Sequence, residues 1–261
     1  MLHARLEEAY GLLRNDLEAA AAIQQTMLPA ASTLGLVRYR GLFRPSSLIA
    51  GDTYNVVGHR DGTVSFFQID VAGHGAPAAL VSVASHHTLS QALLTQADGA
   101  RLEDIVARIN REWPENLPYF TMILGRIDVQ DQSLTILQAG HPPPLLVRRS
   151  GSVTPLGDGG FPVGMIREAE YESVQVEFGE GDRILVYSDG LVEAENAAGE
   201  QFAEDRLRSL VQERARSATP ILLEDLDHAL RKWRGSETLS DDLSVLMLER
   251  LSERTKRNAH S

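Results

Sequence analysis

Four aspartates stand at the ends of apolar runs in this chain, and no cysteine accompanies them. They are Asp52 in Ala-Gly-Asp-Thr-Tyr, Asp70 in Phe-Phe-Gln-Ile-Asp-Val-Ala-Gly-His-Gly, Asp189 in Ile-Leu-Val-Tyr-Ser-Asp-Gly, and Asp241 in Ser-Asp-Asp-Leu-Ser-Val-Leu-Met-Leu. A carboxylate at the tip of a buried strand is costly unless something neutralises it. Four such tips drawn from across the chain predict one shared site. Carboxylate oxygen suits Mg²⁺ or Mn²⁺ rather than zinc or copper. The expected chemistry is that of a metal-dependent enzyme built on strand ends.

Each aspartate also has a plainer role open to it. Asp70 precedes a helix and is able to cap it. Asp52 reads equally as a turn residue, and the Asp241-Asp242 pair as a solvated turn. The glycines after Asp70 permit a tight turn, and the helix that follows directs its first amides at the same spot, which suits an anionic substrate. His74 and His141 are candidate proton donors. A histidine held between glycine and proline in a turn also serves as a hydrogen-bonded structural group.

Composition narrows the classes. The 261 residues are enough for a full core, with 43% apolar and 23% charged residues. A net charge of −11 argues against nucleic acid and against an acidic membrane as partners. No apolar run is long enough to span a bilayer. The start Met-Leu-His-Ala-Arg-Leu-Glu-Glu lacks the pattern of a signal peptide, so a cytoplasmic location is expected. The absence of cysteine removes disulfides, thiolate metal sites and a cysteine nucleophile.

The elements that must position the aspartates follow from periodicity. Residues 2–28 read as one helix, with Leu2, Leu6, Ala9, Leu13, Ala20 and Ile23 mostly at three- and four-residue steps, ended by Pro29. That stripe fits either packing on the chain's own body or a coiled-coil connector. Strands are expected over 36–43, 62–71, 119–128, 133–138, 145–149, 152–155, 171–178, 183–188 and 243–249. Helices are expected over 77–94, 102–113, 204–215 and 220–233. Short turns between neighbouring strands favour antiparallel sheet flanked by helices. The chain thus divides into a helical lead over 1–29, an α+β body over 35–250 and a polar tail over 251–261.

The ordered motifs resemble those of the PPM-type (type 2C) metal-dependent serine/threonine protein phosphatases, in the bacterial SpoIIE/RsbU-like branch. The resemblance rests on Ala22-Ile-Gln-Gln-Thr-Met-Leu-Pro29, Ala50-Gly-Asp-Thr-Tyr-Asn55 and Asp70-Val-Ala-Gly-His-Gly-Ala-Pro-Ala-Ala-Leu80. It continues through Ala139-Gly-His-Pro-Pro-Pro-Leu145, Phe161-Pro-Val-Gly164, Tyr187-Ser-Asp-Gly-Leu-Val-Glu-Ala-Glu195 and Ser240-Asp-Asp-Leu-Ser-Val245. Ala50, Thr53 and Asn55 depart from the branch's usual glycine, aromatic and aspartate.

The resemblance implies two stacked antiparallel sheets flanked by helices, a four-layer α-β-β-α body. It implies two Mn²⁺ or Mg²⁺ ions, with Asp70 bridging them, the Val71 carbonyl on one, Asp189 and Asp241 completing one, and Asp52 holding the other. Asp242 is not usually a direct ligand. The implied activity is hydrolysis of phosphoserine on a bacterial regulatory protein such as an anti-sigma factor antagonist. The implied partners are that protein and an upstream receiver or sensory domain reached through residues 1–28. A homodimer through the same helix, and an adaptor of this fold without turnover, stay open. Arg38, Arg40, Arg44 and Arg60 read as solvated strand residues rather than a phosphate grip.

Overall fold

The run Val-Ser-Phe-Phe-Gln-Ile-Asp-Val over Val64–Val71 (β4) is buried on both faces except at Asp70. Side chains alternate along a strand, so Phe67, Ile69 and Val71 share one face while Val64, Phe66, Gln68 and Asp70 share the other. The first set packs with helix residues such as Leu89 and Ile105, and Val64 and Phe66 pack with Ile184 and Leu246 of a second sheet. This one strand therefore has a helical layer on one side and another sheet on the other.

The computed structural model describes residues 2–95 and 100–253. Its first sheet runs in the order β3–β4–β5–β6–β9, where β3 is Thr53–Gly58, β5 Phe120–Asp128, β6 Ser133–Ala139 and β9 Ser173–Glu177. The second runs β1–β2–β11–β10–β7–β8, where β1 is Ser32–Leu34, β2 Val37–Arg44, β7 Leu145–Val147, β8 Val153–Pro155, β10 Arg183–Tyr187 and β11 Leu243–Arg250. Every pairing between these strands is antiparallel. Helices α2 (Ala76–Thr95) and α3 (Leu102–Glu112) cover the first sheet. Helices α5 (Ala203–Glu213) and α6 (Thr219–Arg234) cover the second, with the short α4 (Asp189–Val192) at its edge. The four-layer α-β-β-α expectation holds.

Antiparallel pairing sets where the acids fall. The start of β3 lies beside the end of β4, with Thr53 opposite Ile69, and the end of β10 lies beside the start of β11, with Tyr187 opposite Val245. Asp52, Asp70, Asp189 and Asp241 thus gather at one end of the sandwich. Strand β3 is the main element that periodicity did not supply, together with β1 and α4. Thr-Tyr-Asn-Val-Val-Gly is too short and mixed to stand out before its partner β4 is known.

The expected boundary between body and tail is corrected. The final strand extends to Arg250, whose guanidinium is buried and donates to the carbonyls of Phe178 and Val129. Leu251, assigned to the tail, is buried as well and its amide donates to Leu36. The rest of the expected tail, residues 254–261, lies outside the described residues. The leading helix α1 spans Leu2–Met27 as expected, but its stripe faces away from the body. Leu6, Leu13 and Ile23 are exposed, and Leu17, Ala21, Gln24 and Leu28 turn inward instead.

Phe66 fills the space between the sheets and lies directly beneath Gly125, where any Cβ would overlap its ring. Phe66→Ala is expected to lower the unfolding free energy by about 3–5 kcal/mol in urea titrations. Leu12→Ala, on the exposed face of α1, is expected to change it by less than about 0.5 kcal/mol.

Candidate metal centre

Carboxylates brought together by strand ends repel one another, and burial strengthens that repulsion. Asp52 immediately precedes β3, is 1% exposed, and accepts a 2.6 Å hydrogen bond from Ser244 Oγ on the opposite sheet. Gln68 Nε2 donates in turn to Ser244 Oγ at 2.9 Å, so a relay runs from β4 through β11 to Asp52. Gln68, Asp70 and Ser244 share the inter-sheet face with the core residues Phe66 and Leu246. The apolar filling between the sheets gives way here to a polar layer. Asp52 is not the turn residue that the plainer reading allowed.

Electrostatics bind the group together. Burial, then the charges of Asp52 and Asp189, push the Asp70 carboxyl up to about 10. Asp70 also lies within hydrogen-bonding reach of Asp189. Burial raises Asp52 well above the carboxylate range, against the opposing hydroxyls of Ser244 and Ser188. Burial raises Asp241 as well, with Asp189 and Asp242 adding to it and His74 opposing it. Glu193, which the sequence reading passed over within its motif, is raised by burial and by the charges of Asp189 and Asp241. The four aspartates therefore form one electrostatic neighbourhood, with Glu193 at its rim.

Local geometry explains how they come so close. Gly73 and Gly75 adopt positive φ angles of 100° and 74°, so the chain turns sharply after Val71 before α2 begins. Among the described residues, Asp70 makes no hydrogen bond to an α2 amide, so it does not cap that helix. A Cβ on Gly190 would overlap the Asp242 carbonyl oxygen and lie 3.3 Å from the Asp241 side chain. Only glycine after Asp189 lets these two segments touch. A Cβ on Gly51 would lie 3.2 Å from the Val71 carbonyl oxygen, which places that oxygen against the Asp52 segment.

Asp242 has a separate task. Its Oδ1 accepts from the Ser46 amide and hydroxyl at 2.7 and 2.9 Å, and its Oδ2 accepts from the Gly51 amide at 2.7 Å. It thus holds the segment that leads to Asp52. Gln24 of α1 clamps the same segment from the other side. Its Nε2 donates to the Ala50 carbonyl at 2.6 Å, and the Ala50 amide donates to its Oε1 at 3.0 Å. Neither clamp was legible beforehand, since both join residues more than twenty positions apart.

The two histidines separate. His141 is 2% exposed, shares a 2.8 Å hydrogen bond with Thr121 Oγ1, and is pushed by burial down to about 3. It is a neutral structural group behind Asp70, whose strand partner is Thr121. His74 is exposed beside Asp241. The departure at Thr53 is absorbed by a 2.8 Å hydrogen bond between its hydroxyl and His86, and Asn55 donates to Ser90 of α2 at 2.9 Å. Arg38 pairs with Glu249 and Arg44 with Asp227, so both serve the second sheet.

The donor set fits a hard divalent cation. It is made of oxygen alone, burial and then neighbouring carboxylates raise Asp70, and Gln68 Oε1 is a buried acceptor with no donor two residues from Asp70. Yet among the described residues no three acids or histidines stand at metal-ligand spacing. Asp52 is turned to Ser244, and Asp241 is exposed.

Without divalent metal, the native protein keeps a proton on Asp70 that the unfolded chain releases above about pH 4. Stability is then expected to fall as pH rises from about 4 toward 10. In EDTA, the melting temperature of the wild type should drop by at least about 5 °C between pH 5 and pH 8. Asp70→Asn should flatten that slope, and an equally steep slope in the variant would show that Asp70 is not its source.

Known proteins resemble this chain in sequence and fold. The model of the family described as stage II sporulation protein E matches residues 60–251, which takes in Asp70, Asp189 and Asp241 and stops short of Asp52. The chain is 27% identical over 246 residues to the phosphoserine phosphatase RsbP of Bacillus subtilis, a match covering 90% of this chain and 58% of RsbP. It is 23% identical over 256 residues to the phosphoserine phosphatase RsbU of the same organism, covering 95% of this chain and 74% of RsbU. The SiaA-PP2C domain of Pseudomonas aeruginosa superposes with a TM-score of 0.81 at 22% identity, over 94% of this chain and 99% of that one. With the family match spanning the acids of β4, β10 and β11, and the same four layers around them, this chain belongs to the SpoIIE family.

Proposed function

We propose that the chain is a protein serine/threonine phosphatase that hydrolyses phosphoserine on a bacterial regulatory protein of the anti-sigma factor antagonist type. The observation that carries this reading is the gathering of Asp52, Asp70, Asp189 and Asp241 at one end of the sandwich, with Asp70 pushed up to about 10 by burial and its neighbours. Asp52, Asp70, the Val71 carbonyl, Asp189 and Asp241 would hold two Mn²⁺ or Mg²⁺ ions. When bound, these ions supply a water of lowered pKa and neutralise charge on the phosphoryl oxygens.

The chain's own residues do the rest. Asp70 gives up its proton when a cation replaces it, and Ser244 and Ser188 keep Asp52 oriented. Asp242 and Gln24 hold the backbone before Asp52, so its carboxylate returns to one place after each turnover. His74, exposed beside Asp241, would pass a proton to the departing serine oxygen. The absence of cysteine fits direct attack by water without a covalent phosphoenzyme.

A second reading has its own support. Because no three acids among the described residues stand at ligand spacing, the chain also fits a conditionally active protein that binds its partner first and closes on metal afterwards. The test is phosphate release from p-nitrophenyl phosphate and from a phosphoserine peptide, with and without Mn²⁺. Manganese-dependent turnover that Asp70→Asn reduces at least about 100-fold supports the phosphatase. Absence of turnover with metal bound supports the conditional reading, and absence of both overturns the phosphatase proposal.

Helix α1 is proposed as the route of regulation, to an upstream receiver or sensory domain or to a second copy of the chain. Leu6, Leu13 and Ile23 leave an apolar stripe in solvent, while Gln24 on the inner face grips the segment before Asp52. A cytoplasmic site of action fits this role; no helix among the described residues is long and apolar enough to cross a membrane. Removing residues 1–28 is expected to reduce self-association in sedimentation and to raise the Mn²⁺ concentration for half-activation at least about threefold. Unchanged values of both would end the proposal.

A further inference from the structure

Gln68 lies inside β4, between Phe67 and Ile69, and is wholly excluded from water. A buried amide is unfavourable unless its polar atoms are paired. Gln68 pairs one end only. Its Nε2 donates twice, both times to Ser244: to the carbonyl oxygen at 3.1 Å and to Oγ at 2.9 Å. Its Oε1 has no donor among the described residues. As core packing, such a side chain is poorer than a methionine of similar length.

Its two bonds fall on a residue that touches the framework of the whole centre. Ser244 follows Asp241 by three positions, and its Oγ donates to Asp52 Oδ2 at 2.6 Å. Its carbonyl also accepts from the amide of Ser188, next to Asp189, at 3.0 Å. Gln68 itself precedes Asp70 by two positions.

These contacts fix where each hydrogen points. A carbonyl oxygen only accepts, so the amino end of Gln68 must be the end that faces Ser244. The reversed amide would set two carbonyl oxygens against each other. With Nε2 held there, Ser244 Oγ receives a hydrogen from β4 and cannot send its own back to Gln68. Its single hydrogen is left for Asp52, at the shorter distance. Without that amide, the hydroxyl is free to rotate. Buried hydrogen bonds in series also polarise and strengthen one another.

We infer that Gln68 is a positioning residue for Asp52. It directs the Ser244 hydroxyl, and the hydroxyl holds Oδ2, so the carboxylate meets its cation already oriented. The inference rests on the reading of Asp52 as an ion ligand, while the relay itself stands on the hydrogen-bond geometry. Because Gln68 reaches Asp52 only through Ser244, its effect is confined to the ion that Asp52 holds.

The test titrates the 261-residue chain with Mn²⁺ by isothermal calorimetry and records thermal unfolding in EDTA. Asp52→Asn marks the ion that depends on Asp52. Gln68→Met keeps the length and removes both bonds. It is expected to weaken that ion at least about tenfold and to leave the other within about threefold. Ser244→Ala should do the same, and Gln68→Met/Ser244→Ala should match Ser244→Ala alone within about twofold. In EDTA, the melting temperature of Gln68→Met should rise or stay within about 2 °C of the wild type. A larger fall, or equal weakening of both ions, marks a purely structural amide and overturns the inference. So does unchanged Mn²⁺ binding by Gln68→Met, or a double variant whose loss is the product of the two single losses. Wild-type binding that Asp52→Asn leaves intact, or no binding at all, overturns the inference together with the assignment of Asp52 as a ligand. The expected binding pattern without phosphate release from the phosphoserine peptide keeps the positioning role and moves the chain to the conditional reading.

Discussion

Like charges crowded at the edge of a low-dielectric sandwich are the constraint on which this structure turns. Two unit charges 4 Å apart repel by roughly 4 kcal/mol at the effective dielectric typical near a protein surface. Four aspartates share that region here, and burial together with the neighbouring charges raises Asp70, Asp52 and Asp241. A buried arginine would have met the same need in a structural ion pair. Among the described residues none takes that place: Arg38, Arg44 and Arg148 pair with Glu249, Asp227 and Asp182 instead. The charge imbalance is thus concentrated where a cation can relieve it, as buried titratable groups with shifted values often mark functional sites.

The surrounding layers make such crowding tolerable. Phe66, Ile123, Ile184, Val186, Leu246 and Leu248 fill the rest of the inter-sheet space, and each is essentially excluded from water. Burial of such side chains stabilises the fold by about 1.5–3 kcal/mol apiece, enough to offset local repulsion. The polar layer at the end is then organised by hydroxyls and amides rather than by opposite charge. Ser244 and Ser188 attend Asp52, Gln68 attends Ser244, and Asp242 satisfies the backbone of the preceding loop. This division leaves Asp52 free of any competing positive partner.

Placing one side of that loop under a long helix links the acids to a distant element. Gln24 satisfies both polar groups of Ala50, so a shift of α1 along its axis must either carry Ala50 with it or leave buried groups unpaired. The exposed stripe on the opposite face of the helix is where another surface can act. Regulation through the helix would therefore reach the centre through Ala50.

Sequence alone determined much of this. Apolar runs bounded by acid located β4, β10 and β11, because a strand buried on both faces reads as a nearly continuous apolar run. The glycines after Asp70 announced the sharp turn found there. The acids were legible as a set because carboxylates on buried strand ends are rare without a purpose. The sequence could not separate Asp242 from Asp241, since adjacent residues of one type differ only in which way each side chain points. It could not detect β3, whose six residues become a strand by pairing with β4. Nor could it distinguish His141 from His74, because burial against Thr121 is decided by chain segments twenty residues apart. The outward turn of the α1 stripe and the clamp by Gln24 belong to the same class. They depend on which helix face meets the body, and that choice is made by packing between distant segments, which only the tertiary structure fixes.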